Sequence, residues 1–449
     1  MKDFLKGFGA AFIAGGILLG VFLFFPPDFL LSKGAALVGL NGESSLLKEK
    51  TIEERIAEAR QRSAKIKGLY MTADVANDPG AGATRLRERI IRLAEESEIN
   101  GVVIDVKEVC GIDYNQKNLG RLLEELKQEN IWTIARIVAF KDASQIEAHP
   151  EWYLTRKTKK QAGEECFRKR HLRAKPVGNQ LPVISNQSFW QDKRGGYWLD
   201  PALPEVRRYL LDFSKRMIDL GFDELQFDYI RFPSDGDVEY ALYPAWDKKT
   251  PKYAVLKSFF AFLHDNLKKH KPEIILSADI FGYVAAQRED LTIGQRLDDI
   301  GDTFDYVSFM VYPSHYYSGL YLPADPSHGL PTVDYNFTQA RANPDVVVER
   351  SLLFAREFLD GRIATSTLAA GTATTGAVVD GAVRPQPRER ARLRPWLEDF
   401  FHEEDQAAGR PYGAQKVRMQ IDAAERVENH GWLLWNAANI YTDEALKKE

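Results

Sequence analysis

The stretch Glu224-Leu225-Gln226-Phe227-Asp228-Tyr229-Ile230-Arg231-Phe232-Pro233, followed by Ser234-Asp235-Gly236, begins as a buried strand and ends in a carboxylate, a phenol and a guanidinium. Pro233 and the Ser-Asp-Gly turn stop it. Side chains alternate along a strand, so Gln226 and Asp228 share one face while Leu225 and Phe227 share the other. An acid at the C-terminal end of an apolar strand is where α/β barrels place their chemistry. A strand-end Asp that merely caps a turn or pairs with Arg231 would give the same local pattern.

Working outward, strand-like and helix-like patterns alternate from Lys65 onward. The predicted strands are Gly68–Ala73, Gly101–Glu108, Ile131–Phe140, Glu224–Phe232, Ile274–Gly282, Tyr306–Tyr312, a weaker Arg392–Asp399, and Gly431–Ile440. Helical periodicity falls at Thr84–Glu98, Leu119–Asn130, Pro204–Leu220, Pro251–His270, Pro344–Leu359 and Gly413–Asn429, and is poorly defined around Arg296–Ile300 after the fifth strand. Pro204, Pro251 and Pro344 sit near helix starts, where a missing N–H costs nothing. Eight strands alternating with helices predict an α/β fold, a (β/α)8 TIM barrel over residues 65–445. Long βα-loop insertions are expected at about 150–203, 313–343 and 361–387.

The chain has 449 residues, 44% hydrophobic and 28% charged, with a formal net charge of −4. Bulk charge therefore points to neither nucleic acid nor an anionic surface as partner. Lys2 and Lys6 precede an apolar run from Gly7 to Phe25, closed by Pro26-Pro27-Asp28. At 1.5 Å per residue that run comes close to spanning a bilayer core of roughly 30 Å. We read residues 1–27 as a single-pass signal anchor in the cytoplasmic membrane, with a cleaved signal peptide and secretion as the alternative. Residues 28–64 read as a spacer and short charged helix, and in both cases the barrel lies outside the cytoplasm. Cys110 and Cys166 form no metal framework, and their pairing is left open.

The insertion at 150–203 carries Trp152, Tyr153, Phe189, Trp190, Tyr197 and Trp198, which would either stack on sugar faces or pack on themselves. Arg156–Lys175 holds nine Lys/Arg and two Glu, a pattern of a solvated loop or of a seat for an anionic glycan.

Polar residues recur late in strands that are otherwise apolar: Asp105 and Lys107 on the second, Arg136 on the third, Gln226 and Asp228 on the fourth, Ser277 and Asp279 on the fifth. Tyr312 ends the sixth, Trp396 lies on the seventh, and Asn436 follows the eighth. Several buried charges at one level imply mutual pairing in a polar centre. Glycoside hydrolysis needs two carboxylates, one protonated to assist the leaving oxygen and one ionised to attack or to activate water. Asp228 and Asp279 come from consecutive strands about 5 Å apart, which is compatible with retention or inversion. Asp105, Arg136, Gln226, Tyr229, Arg231, Tyr312, Trp396 and Asn436 would bind the sugar or tune the acids. No P-loop, no Gly-x-Ser-x-Gly elbow and no closely spaced histidine pair occurs, so neither nucleotide, metal nor other cofactor is expected. His315, at a strand end, reads as a loop histidine.

Gly68-Leu69-Tyr70-Met71-Thr72, Trp198-Leu199-Asp200-Pro201 and the phrase from Gly221 to Pro233 resemble the bacterial putative glycosyl hydrolase domain DUF4015, and Arg394-Pro395-Trp396-Leu397 and Gly431-Trp432-Leu433-Leu434-Trp435-Asn436 fit its later part. The resemblance covers roughly Lys65 to Tyr441. It implies a TIM barrel related to glycoside hydrolases, a polysaccharide or oligosaccharide substrate, Asp228 as nucleophile or its ionised equivalent, and Asp279 as acid/base where many such barrels carry Glu. The 361–387 insertion departs from the compact pattern. The competing expectations are a catalytically silent glycan-binding barrel and a membrane-bound scaffold for wall-remodelling proteins.

Overall fold

The computed structural model describes residues 50–157, 166, 188–287, 291–360, 390–407 and 412–448. The predicted anchor at 1–27, most of the basic stretch at 156–175 and the 361–387 insertion lie outside these residues. No helix among the described residues is long and apolar enough to cross a membrane.

Eight parallel strands close on themselves. They are β1 Ile66–Met71, β2 Gly101–Glu108, β3 Trp132–Val138, β4 Glu224–Asp228, β5 Ile275–Phe281, β6 Tyr306–Met310, β7 in two pieces, Arg392–Leu393 and Trp396–Glu398, and β8 Gly431–Trp435. Each pairs with its successor, and β1 pairs with both β2 and β8, so no edge remains. The surrounding helices include α1 Ala81–Glu96, α2 Gln116–Gln128, α3 Pro204–Leu220, α4 Lys252–His270, α5 Pro344–Leu359 and α6 Ala414–Val427. They bury one apolar stripe each, such as Leu119, Leu122, Leu123 and Leu126 of α2, against the outward face of the strands. The chain has the (β/α)8 architecture its pattern predicts.

Several strand details differ from the prediction. β4 stops at Asp228, not Phe232, because Tyr229 takes a left-handed φ of 51°. β3 likewise ends at Val138 and β8 at Trp435. β7 is broken at Pro395, which has no N–H to give the ladder: Leu393 pairs with Val307 on β6, and pairing resumes at Trp396, opposite Met310 on β6 and Leu433 on β8. Finally, Asp105 and Lys107 do not share a face. A bulge at Val106 sets Lys107 opposite Ile137. Lys107 is thereby turned to a buried ion pair with Asp142, 2.8 Å.

The barrel's lower interior is closed by the 3-10 turn Ser63–Lys65 ahead of β1. Arg394 Nη1 lies 2.9 Å from both oxygens of Glu224, and Trp132 and Ser277 also donate to that carboxylate. Arg394 Nη2 reaches the Ser63 carbonyl at 3.3 Å. All five of these residues are buried. Above them Gln226 bonds Ser308, and above that layer the polar strand ends converge.

Among the described residues of the 150–203 insertion, Trp152, Tyr153, Trp190, Tyr197 and Trp198 are buried in the main core, so they are packing residues rather than a platform for sugars. A disulfide joins Cys110 to Cys166. In the insertion after β6, strands Leu320–Leu322 and Val333–Tyr335 form an antiparallel pair over a small separate apolar cluster.

Candidate active site

Register brings the polar residues together. Asp105 pairs with Arg136 across β2 and β3, and Gln226 with Ser277 across β4 and β5. Two residues on, Asp228 and Asp279 are therefore neighbours on the same face. Arg136 is the hub. Its Nη1 donates to Asp105 Oδ1 at 2.6 Å, its Nη2 donates to Asp228 Oδ2, and its Nε lies 3.6 Å from Asp279 Oδ2. Tyr70 closes the far side by donating its hydroxyl to Asp105 Oδ2.

The two proposed acids differ in environment. Asp228 is ion-paired with Arg136, and its Oδ1 accepts the Tyr229 N–H at 2.6 Å. Asp279 accepts Trp396 Nε1–H at 2.7 Å on Oδ1, while its buried Oδ2 has no hydrogen-bond partner among the described groups. Burial, and then the negative charge of Asp228, hold the Asp279 carboxyl well above the usual carboxylate range, with Arg136 and Trp396 only partly opposing them. One carboxylate paired with a cation beside a second biased toward its protonated form is the division of labour that acid-assisted bond cleavage requires.

A cavity of about 510 Å³ opens over this floor, within the usual size of a small-molecule site. Asp228, Asp279, Arg136, Tyr229, Arg231, Tyr312 and Trp396 line it. Tyr312 stacks on Trp435 with centroids 5.6 Å apart, and burial, followed by the Asp279 charge, pushes its phenol well up. Tyr229, strained at φ 51°, turns its ring into the cavity wall.

Three predicted site residues do not reach the cavity. Asp105 lies behind Arg136. Gln226 sits one layer deeper, donating to Ser308 Oγ at 3.1 Å. Asn436 spends its side chain on backbone, donating to the Asp399 and Ile440 carbonyls at 2.6 Å each and accepting from Ala438 N. Sequence reading missed Lys141, Asp192, Arg194 and Tyr317, which come from loops, and undervalued His315, which lines the cavity with its imidazole pKa lowered by burial. Trp435, like Phe281 and Met310 in the same lining, carried a signal because it ends an apolar strand, whereas His315 comes from the 3-10 turn Pro313–His315 beyond β6. A group of Asp325, His328 and Glu357, ligand atoms within 4.8 Å of one another, lies outside that lining and was not legible in the spacing.

The family model described as "Putative glycosyl hydrolase domain", DUF4015, matches residues 68–441. No curated protein matches the chain. Among solved structures, the PgaB (BpsB) glycoside hydrolase domain from Bordetella bronchiseptica is similar at 12% identity and a TM-score of 0.50, over 84% of this chain and 95% of that one. At that identity the likeness shows the barrel fold alone. A hypothetical protein from Ruminiclostridium thermocellum ATCC 27405 is 26% identical over 47% of this chain and 96% of its own, with a TM-score of 0.35. The spore cortex-lytic enzyme SleL from Bacillus megaterium QM B1551 is 9% identical over 85% and 73%, with a TM-score of 0.41.

Proposed function

Because the chain belongs to the DUF4015 family of glycosyl hydrolase-like domains, we propose that it cleaves glycosidic bonds of a cell-wall or secreted polysaccharide, using Asp279 as acid and Asp228 as the ionised carboxylate. The carrying observation is the asymmetry of the pair: Asp228 is neutralised by Arg136, while Asp279 is buried, raised, and holds an Oδ2 without a hydrogen-bond partner. A protonated Oδ2 would find its acceptor in the glycosidic oxygen. Arg136 would shift its interactions among three carboxylates as charge moves from Asp228 toward the sugar, a preorganised response that costs little reorganisation. Trp396, bonded to Oδ1, orients the acid.

We place the barrel outside the cytoplasm. The apolar run Gly7 to Phe25 behind two lysines supports export and anchoring in the membrane. The Cys110–Cys166 disulfide supports an oxidising compartment.

Asp228→Asn tests the assignment. Hydrolysis of glycans by the full-length chain should fall by at least about a thousandfold, with melting temperature and near-UV dichroism retained. Unchanged turnover removes Asp228 from the reaction. A silent glycan-binding barrel predicts instead that the unmodified chain binds polymer and releases no reducing ends from any of them.

A further inference from the structure

The charges around the cavity are unequally matched. Arg136 faces three carboxylates, and Lys141 pairs with Asp192 at 3.0 Å. Arg231 is different. Among the described residues only its Nη1 finds hydrogen-bond acceptors, donating to the Phe232 carbonyl at 3.1 Å and Ser234 Oγ at 3.2 Å. Among the described residues no carboxylate lies within ion-pair distance of it. Its guanidinium is walled by the rings of Phe281, Trp198 and Tyr229, at 4.4, 5.0 and 5.0 Å. The side chain is only 6% exposed, and it borders the cavity. Burial lowers its pKa, a desolvation that Tyr229 and the more distant charges of Asp228, Asp235 and Asp192 offset only in part.

Arg194 is a second cation on the same wall. The turn that carries it packs on the turn after Arg231, through Lys193 N to Asp235 Oδ1 at 3.1 Å. Arg194 borders the cavity, is exposed, and likewise has no carboxylate partner among the described residues. A structural arginine in an apolar wall would be paired with an acid; a neutral sugar's hydroxyls would return little of the desolvation. An oxyanion would return most of it, because guanidinium presents a fixed fork to carboxylate or phosphate.

We infer that the substrate carries an anionic substituent, a carboxylate or phosphate, which docks on Arg231 beside Asp228, with Arg194 guiding it at the rim. This deepens the hydrolase reading and rests on it, since the anion would fix which ring stands over Asp228 and Asp279. Three aromatic faces and the Nη1 anchor hold the guanidinium plane, so the anion meets a prepositioned partner.

The test uses the full-length chain with polygalacturonate, alginate and hyaluronan, the carboxyl-reduced form of each, and poly(glycerol phosphate). Binding and release of reducing ends are both measured. At least one acidic polymer should bind about 10- to 100-fold more tightly than its neutral counterpart, and more so at low salt. Arg231→Gln should bring that preference to within about twofold, and Arg231→Lys should restore part of it. Should Arg231→Gln not fold, the exposed Arg194→Gln decides, with an expected loss of preference of about threefold. Binding of poly(glycerol phosphate) in place of the polyuronates assigns the anion as phosphate. Equal affinity for acidic and reduced forms, no binding of any acidic polymer, or a preference untouched by both substitutions overturns the inference. Selective binding without product sinks the hydrolase reading and keeps this one. Cleavage of neutral glycans without acidic preference does the reverse.

Discussion

Asp279 is a carboxyl that the barrel keeps buried beside another acid, and its position makes a pH signature. Its folded-state pKa is raised, so the native state holds a proton that the unfolded chain releases above its ordinary value of about 3.9. The stability this proton contributes is full below that ordinary value and is lost as pH rises through the folded one. In the proposed reaction the same deprotonation disarms the acid, so kcat/KM should fall on the alkaline side. Asp279→Asn should lower kcat by about 10² to 10⁴-fold and flatten that alkaline limb; it should also lessen the alkaline loss of stability in urea titrations run across pH. An alkaline limb unchanged in the variant would assign it to another group. Arg136 carries the complementary prediction. Arg136→Met leaves Asp105, Asp228 and Asp279 facing one another without their cation. It should cost about 3–5 kcal/mol in denaturant unfolding at neutral pH, and less in acid, where the carboxylates protonate. At this scale the strand-borne residues were legible: Asp105, Arg136, Asp228 and Asp279 are charges inside apolar runs, which burial must pair. Lys141, Asp192 and Arg194 were not, because a loop residue's place in a cavity depends on contacts that no local period encodes.

Elements show where period two holds and where backbone chemistry interrupts it. The rule placed Gln226 and Asp228 on one face of β4 and Ser277 and Asp279 on one face of β5, and the register bears this out. It failed at β2, where one bulged residue turned Lys107 away from Asp105 and into the pair with Asp142. No local cue marks that bulge, since Val106 is an ordinary strand residue. The break in β7 was legible in hindsight from Pro395, and the end of β4 depends on Tyr229 adopting a conformation that its type disfavours. The seam between β8 and β1 relies on a glycine for a reason that a substitution can expose. Gly431 has φ 91°, and a Cβ there would stand 1.9 Å from the Ile66 carbonyl oxygen. Gly431→Ala must therefore shift one strand from the other where the barrel closes, and should destabilise by about 3 kcal/mol or more. Gly413→Ala, whose Cβ meets nothing within 4 Å, serves as the control and should change stability by about 0.5 kcal/mol or less. Equal effects of the two in thermal melts would deny the seam its special role.

At the scale of the molecule, alternation of strands and helices foretold a barrel, but closure came from pairings far apart in sequence, β8 with β1 and Arg394 with Glu224. The link between Cys110 and Cys166 is of the same kind: with two cysteines the only possible intrachain pair was obvious, whereas its formation depends on the 150–203 insertion folding back toward the end of β2. Because Trp152, Trp190 and Trp198 already anchor the described part of that insertion in the main core, the crosslink's main effect falls on the unfolded chain. Closing a separation of 56 residues removes loop entropy worth about 4 kcal/mol in the chain-entropy model. Spread over a domain of this size, that corresponds to a fall in melting temperature on the order of 5 °C when the bond is lost. Reductant, Cys110→Ser and Cys166→Ser should each produce the same shift, and reductant should add nothing to either variant. Neither cysteine borders the cavity, so glycan binding at 25 °C should be unchanged in both. A variant that loses binding while keeping its melting temperature would mean that the insertion's position, and not only its tether, shapes the wall carrying Asp192 and Arg194.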